Sequence, residues 1–145
     1  MFEEESLESA IHDAENLHGH LGPFLVIGVR MGRMAKQVLG VDTSRNDGLR
    51  AHVSVPFSTP FSCIIDGIQV TTKCTIGNQK LKVKNSEKEI AAYFERKNPS
   101  RALRIRLKSK IAEGVLDRIS KGSSVEELAR EVARLPESEL FMVEK

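Results

Sequence analysis

Apolar residues near the start of the chain recur three or four positions apart, which is the period of an α-helix. They run from Leu7 to Leu17 at spacings that place them on one side of such a helix. Ser6 stands where an N-cap residue belongs, and Gly19 stands where a helix can end. The pattern therefore predicts an amphipathic helix between these two residues.

A second helix is predicted from about residue 23 to residue 39. Pro23 suits a first helical turn, and Gly40 can end the helix. The segment is apolar on nearly all sides, so we expect it to be buried. Gly28 and Gly32 lie four positions apart on one face, where they would let another backbone approach closely.

Strict alternation of apolar and polar residues follows and predicts β-strands. The residues after Pro60, up to about position 73, favour a short helix instead. We expect the three central strands to form an antiparallel meander, because only short polar turns separate them. The predicted strands are 49–55, 81–83, 90–94, 103–107 and 140–143.

The C-terminal third returns to helical spacing. Residues 111–119 predict a helix that Gly122 ends. Ser124, with a glutamate three positions later, forms a capping box that opens a last helix, and Pro136 stops it. Helices that flank a run of strands indicate an α+β fold, with an antiparallel sheet of about four to five strands packed against N-terminal and C-terminal helices. Without internal repeats or linkers, we expect residues 1–145 to form a single domain.

Composition excludes several classes of protein. The chain is 40% hydrophobic and 29% charged with a net charge of +2, which excludes general disorder. Two cysteines cannot build a disulfide-rich scaffold or a four-cysteine zinc site in one chain. The longest apolar run, residues 24–29, is too short to span a bilayer, and the chain begins with acidic residues where a signal peptide would be basic. We therefore expect a cytoplasmic protein with reduced thiols and no membrane association.

Charge is concentrated in one stretch. Residues 80–110 hold eleven basic and three acidic residues, a balance of +8. Such a stretch can bind nucleic acid or another anionic partner, or it can be the solvent-facing side of the predicted strands. Nucleic-acid binding is the less favoured of these interpretations, because no aromatic-rich ribonucleoprotein motif and no finger spacing accompanies the charge.

The first motif that could carry chemistry reads His-Gly-His-Leu-Gly-Pro and begins at His18. Its two histidines, His18 and His20, can face one point only if the backbone bends, which Gly19 and Gly22 allow. Imidazole is a common ligand for zinc and similar metals. The alternative is a turn with one capping histidine and one exposed histidine.

The second motif spans residues 63–78 and contains both cysteines. On a helix, Cys63 and Asp66 would share a face, whereas Cys63 and Cys74 would lie ~16 Å apart. Each cysteine can also be a small buried apolar residue. An acid within an apolar run such as that around Asp66 needs a histidine, a backbone amide or a metal as its partner, unless it caps the helix.

Together, the two motifs resemble the family formed by the E-type component of formylmethanofuran dehydrogenase and its relatives. The second motif, Cys-x-x-Asp-Gly-Ile-Gln-x-x-Thr-x-Cys-Thr-x-Gly-Asn, follows the first by about fifty residues, and the ending over residues 136–143 looks like the last strand of the family's core domain. The family often has a cysteine where this chain has Gly22. Many relatives also continue into a cysteine-rich zinc ribbon, and we expect this chain to correspond to the core domain without it.

The resemblance implies a methanogenesis-related α+β protein, commonly a homodimer, with a metal site built from both motifs. The metal is expected to be a divalent ion, with zinc preferred because no iron–sulfur spacing is present. No glycine-rich phosphate loop is present, so no nucleotide cofactor is expected. Carried over by position, the implied metal ligands are His18, His20, Cys63 and Cys74.

The same resemblance implies a set of catalytic residues and a loop. Asp66 is either a fourth ligand or an acceptor that orients a histidine. The expected function is metal binding that supports redox or hydrolytic one-carbon chemistry. The alternative is a non-catalytic accessory or binding module for a molybdenum or tungsten enzyme, or for another acidic partner. The implied catalytic residues are Cys74, His20 and Asp66, and the residues lining the cofactor-binding loop are Thr75 and Asn78.

Overall fold

The fold is described by a computed structural model that covers residues 6–42, 48–97 and 99–145. Helices precede, interrupt and follow the strands along the chain, which confirms the α+β class. The helices are α1 (Leu7–His18), α2 (Pro23–Leu39), α3 (Cys63–Thr72), α4 (Ser109–Ser120), α5 (Val125–Arg134) and α6 (Glu137–Leu140). The strands are β1 (Arg50–Val55), β2 (Leu81–Asn85), β3 (Ala91–Arg96), β4 (Arg101–Leu107) and β5 (Phe141–Glu144).

The first two helices begin and end where the capping residues predict. The Ser6 hydroxyl accepts a hydrogen bond from the Ser9 backbone N–H at 3.1 Å and so caps α1. Gly19 ends α1 at a φ of 101°, and Gly40 ends α2 at a φ of 65°, both in the left-handed region that favours glycine. Helix α2 is buried along almost its whole length, as predicted.

Helices α2 and α3 pack backbone against backbone through glycine. A β-carbon at Gly28 would lie 2.2 Å from the Ile64 carbonyl oxygen, and one at Gly67 would lie 2.4 Å from the Leu25 carbonyl oxygen. Neither glycine can therefore carry a side chain without moving a helix. The close approach expected at Gly28 is confirmed, and its partner is the helix that holds the second motif.

The sheet has the order β2-β1-β3-β4-β5 and is mostly antiparallel. Strand β1 pairs in parallel with β2, and every other neighbouring pair is antiparallel. The predicted three-stranded meander is wrong in one respect, because β1 lies between β2 and β3. Helix α3 forms the crossover between β1 and β2, which makes their parallel pairing possible. The β3–β4 hairpin is confirmed.

The helices cover one face of the sheet and leave the other to solvent. Helix α2 packs on β3 and β4, where Phe94, Leu103 and Ile105 are fully buried. The alternate residues of these strands, including Arg104 and Arg106, are partly exposed on the opposite face. The basic stretch therefore has the structural cause that the alternation predicts. No helix that the structure describes is long and apolar enough to cross a membrane.

The C-terminal segment folds back onto α2. The Ser124 hydroxyl accepts the Glu127 backbone N–H at 3.3 Å, which confirms the predicted N-cap of α5. Arg30 of α2 donates to the carbonyls of Val132, at 2.9 Å, and Leu135, and so satisfies the C-terminal end of α5. Strand β5 begins one residue later than predicted, after the short α6.

Candidate metal site

The two histidines of the first motif meet because the chain turns sharply between them. His18 is the last residue of α1, and the left-handed conformation of Gly19 redirects the chain immediately after it. The rings of His18 and His20 lie 4.6 Å apart between centroids, with their planes tilted by 41°. The backbone bend that the motif requires is therefore present, and both imidazoles lie at one end of the molecule.

Asp66 finds its partner in His18. Asp66 belongs to the first turn of α3, and its Oδ2 accepts a hydrogen bond from His18 Nδ1–H at 2.6 Å. Gln69, one turn further along α3, donates its Nε2 to Asp66 Oδ1 at 3.2 Å. Both carboxylate oxygens are thus engaged. With its proton on Nδ1, the neutral His18 ring presents an unprotonated Nε2 that can bind a metal or accept a proton.

His18 Nε2 is buried at a small cavity, called here the histidine cavity. This nitrogen has no hydrogen-bond partner among the residues that the structure describes. The cavity measures about 50 Å³, and Cys63 contributes to its wall beside the two histidines. That volume is enough for an ion or a few waters. The remaining wall is formed by Gly22, Pro23, Phe24, Leu25, Pro60, Ile119 and Val125.

Cys63 brings a thiol to the histidine cavity at the first position of α3. Burial raises the pKa of this thiol, and the nearby Asp66 carboxylate raises it further. A protonated, buried thiol is a poor nucleophile at neutral pH. Binding of a cation would favour the thiolate, because a coordinating thiol loses its proton.

Cys74 lies beyond the opposite end of α3. Its sulfur is fully buried and donates to the Leu49 carbonyl at 3.3 Å, next to the start of β1. Ten residues of helix separate it from Cys63, a rise of ~15 Å. Cys74 does not belong to the wall of the histidine cavity. The structure therefore brings together His18, His20, Cys63 and Asp66, and it does not bring Cys74 to them.

Thr75 and Asn78 use their side chains to close the loop after Cys74. Asn78 Oδ1 accepts the Thr75 N–H at 3.0 Å, while Thr75 Oγ1 accepts the Asn78 N–H at 3.0 Å. Asn78 Nδ2 also donates to the Lys73 carbonyl at 2.7 Å. These bonds hold the loop rigidly. The cofactor-binding role that the resemblance implies for Thr75 and Asn78 stays a prediction.

Metal chemistry fits this arrangement only in part. Within residues 6–42, 48–97 and 99–145, no group of three or more histidine, cysteine, aspartate or glutamate side chains is arranged to hold a metal ion. However, a buried, unbonded imidazole nitrogen beside a thiol is a donor set that suits zinc. His20 is exposed, so its ring can rotate to supply a further donor.

Sequence reasoning missed several contributors to the site. Gln69 was present in the motif, and its spacing of three from Asp66 on a helix was the signal that could have identified it. Ile119 and Val125 come from the end of α4 and the start of α5, far away in the chain. Their contribution depends on tertiary packing, for which the local pattern carries no signal.

The comparisons with known proteins agree with this fold and these motifs. A family model described as FmdE, molybdenum formylmethanofuran dehydrogenase operon, matches residues 17–142. The chain belongs to the FmdE family. The matched region contains both histidines and the whole of α3, so the residues of the histidine cavity lie within the FmdE domain.

A solved structure extends the FmdE assignment to three dimensions. It is described as an FmdE-like protein of tungsten formylmethanofuran dehydrogenase from Syntrophus aciditrophicus. The two chains share 19% identity with a TM-score of 0.60, over 97% of this chain and 71% of that one. At this identity, the match shows that the fold is shared.

A curated relative matches over a shorter region. It is described as a probable S-adenosyl-L-methionine-binding protein from Archaeoglobus fulgidus and is 37% identical over 68 residues. The matched region is 47% of this chain but only 18% of the relative. The chain thus corresponds to less than a fifth of that protein's length.

Proposed function

We propose that this FmdE-family chain binds a divalent metal, most favourably zinc, at the histidine cavity. The observation that carries the proposal is the buried Nε2 of His18, which has no hydrogen-bond partner among the described residues. A buried polar atom without a partner costs free energy, and a bound ion at this position would remove that cost. Family membership supports the proposal, because the two matching motifs supply these residues.

The proposed ligands are His18 Nε2, the Cys63 thiolate and a nitrogen of His20. Asp66 holds the His18 ring through Nδ1–H, which leaves Nε2 facing the cavity and increases its basicity. Cys74 is not in this set, because its sulfur faces the Leu49 carbonyl at the far end of α3.

Three protein donors leave one position of a tetrahedral ion open. When bound there, zinc would lower the pKa of a water molecule or polarise a carbonyl oxygen. The chain's own residues would set the surroundings of that position. Phe24, Leu25 and Ile119 line the cavity with apolar surface, which limits the entry of bulk water and favours a small ligand. The one-carbon redox or hydrolytic chemistry suggested by the family, a homodimer, and association with a molybdenum or tungsten enzyme stay predictions.

Metal analysis of protein purified without a histidine tag tests the proposal. Wild-type protein should hold about one zinc per chain after dialysis, because three ordered protein ligands bind zinc tightly. His18→Ala and Cys63→Ser should each lose most of it. The matched controls are His52→Ala and Cys74→Ser, which remove a histidine and a cysteine that lie outside the cavity wall.

The four variants separate specific binding from incidental binding. Retention of zinc in both control variants, with loss in both cavity variants, would support the proposed ligands. Zinc below about 0.2 per chain in the wild type would contradict the proposal. Equal loss in His18→Ala and His52→Ala would contradict it as well, since the metal would then sit elsewhere or bind only weakly.

A further inference from the structure

The open edge of the sheet at β2 has unused backbone hydrogen-bonding groups. Strand β2 is the last strand on its side of the sheet, and β1 is its sole strand neighbour among the described residues. The Ala51 N–H donates to the Lys80 carbonyl at 2.9 Å, and the Ser86 N–H donates to the Val55 carbonyl at 3.0 Å. Residues alternate in direction along a strand, so Val83 turns its N–H and C=O away from β1 and toward the open edge.

The side chains along this edge are strongly basic. Lys82 and Lys84 are exposed on the solvent face of β2, and the strand contains no acid. Lys73, just before the loop that leads into β2, is also exposed. The nearby Glu89 is already held by Arg104, whose Nη2 lies 2.5 Å from both carboxylate oxygens. The edge therefore presents positive charge that this glutamate only partly offsets.

An exposed apolar side chain stands near each end of β2. Ile76, in the loop before the strand, is 59% exposed, and Phe57 is 53% exposed. The Phe57 N–H donates to Asn85 Oδ1 at 2.9 Å, which fixes Phe57 beside the last residue of β2. Single exposed apolar residues are ordinary, but here two of them bracket one unpaired basic strand.

We propose that the β2 edge binds an extended acidic segment of another protein, which adds to the sheet as a sixth strand. An added strand would pair with the backbone of Val83, place its acidic side chains against Lys82 and Lys84, and pack apolar residues on Ile76 and Phe57. A segment of about five to seven residues spans the distance, since an extended chain rises ~3.3 Å per residue.

Two other occupants fit the edge less well. A second copy of this chain, pairing β2 with β2, would set lysines against lysines across the new pair, which is unfavourable. A nucleic acid would satisfy the charges, but it has no peptide groups to complete the row of backbone hydrogen bonds. An acidic polypeptide satisfies the charges and the backbone together.

Three fluorescein-labelled nine-residue peptides test the proposal by fluorescence anisotropy. The first alternates glutamate with valine and has a leucine near each end. The second has the same charge but carries a proline at its centre, where proline cannot donate a hydrogen bond. The third replaces every glutamate with lysine. We expect the first peptide to bind at least about tenfold more tightly than the second, and its binding to weaken by about tenfold between low and high salt.

Protein variants locate the site. The double variant Lys82→Glu/Lys84→Glu should lose binding by at least about tenfold, whereas Lys110→Glu/Lys145→Glu, with the same change in charge, should bind nearly as the wild type does. Thermal melting of both variants checks that they fold. Backbone amide shifts confined to residues 81–86 on addition of the first peptide would support strand addition.

Several results would overturn the proposal. Equal binding of the glutamate and proline peptides would show charge attraction without strand pairing. Tighter binding of a single-stranded oligonucleotide would favour nucleic acid, and a dimer that Lys82→Glu/Lys84→Glu disrupts would show that a second copy occupies the edge. Lack of binding at millimolar peptide would leave the lysines with the sole role of protecting the edge from aggregation. Because these variants lie outside the histidine cavity, their results are independent of zinc binding.

Discussion

At the scale of single residues, the candidate site depends on one carboxylate with two partners. Asp66 stands in an apolar segment, and its placement there predicted that a histidine, an amide or a metal must satisfy it. The structure supplies His18 through a 2.6 Å hydrogen bond and adds Gln69 on the other oxygen. The need for a partner was predictable from residue type. The identity of that partner was not, because His18 and Asp66 lie 48 positions apart and only the packing of α1 on α3 joins them.

Asp66→Asn should weaken zinc binding by about 10–100-fold, which is the usual effect of losing the carboxylate behind a ligating histidine. The asparagine keeps the size of the side chain but removes the charge that holds the Nδ1–H form of His18. A competition titration against a chelator measures the affinity. Glu95→Gln, which alters the acid 3.8 Å from His52, is the control and should leave the affinity unchanged. Identical affinities in wild type and Asp66→Asn would remove Asp66 from the site.

Gln69→Leu tests whether the second partner of Asp66 positions His18. Without the Gln69 amide, the Asp66 carboxylate loses one of its two hydrogen bonds and can rotate. We expect a smaller loss of zinc affinity than in Asp66→Asn, of about threefold to tenfold. The Nδ1–H tautomer signal of His18 in nitrogen NMR spectra should also become a mixture of forms. Gln69→Glu would not substitute, since it would set a like charge against Asp66. An unchanged tautomer would mean that Gln69 is only a packing residue.

At the scale of the elements, boundaries were more predictable than neighbours. Ser6, Gly19, Pro23 and Gly40 each marked a helix end by local chemistry, and the structure places the ends of α1 and α2 at these residues. The alternation of apolar residues likewise identified the strands. Strand order was not predictable in the same way, because a period of two says which side of a strand is buried and says nothing of which strand lies beside it. The parallel β1–β2 pair was missed for that reason.

Gly28→Ala should destabilise the protein by at least about 2 kcal/mol, because the new methyl group would overlap the backbone of α3. A β-carbon there would lie 2.2 Å from the Ile64 carbonyl oxygen. Gly114→Ala is the matched control, since a β-carbon at that exposed position in α4 has no neighbour within 4 Å. This control should stabilise the protein by about 0.5–1 kcal/mol, as alanine is the better helix former. Urea unfolding of both variants gives the free energies, and similar values for the two would contradict the close packing of α2 on α3.

The ion pair between Glu89 and Arg104 on the solvent face should make stability depend on pH. The hydrogen bond from Arg104 lowers the pKa of Glu89 from its ordinary value of 4.5. Its stabilising effect is therefore fully present above 4.5 and is lost as the pH falls through the lowered folded-state pKa. At pH 7, Glu89→Gln should cost about 0.5–1 kcal/mol, the usual value for a partly exposed pair. The gap from wild type should close in strong acid. Glu113→Gln, at an exposed acid on α4, should show no such gap at any pH.

At the scale of the whole molecule, the fold joins two motifs that are distant in the chain. The connector between α1 and α2 carries the histidines, and α3 carries Cys63 and Asp66. Both are held against α2, which is buried between the sheet and the other helices. The family and the α+β class were predictable from the paired motifs and the periodicity. The division of the second motif was not: its helix carries Cys63 to the histidines and Cys74 away from them.

The most direct test of the proposed zinc site is anomalous X-ray diffraction, recorded above and below the zinc absorption edge, from crystals grown with zinc. We expect one strong peak in the histidine cavity, about 2.0–2.1 Å from His18 Nε2 and about 2.3 Å from the Cys63 sulfur. Asp66 would remain on His18 Nδ1 and would not touch the metal. A histidine cavity without an anomalous peak, or a peak bound by Cys74 instead of Cys63, would contradict the proposed site.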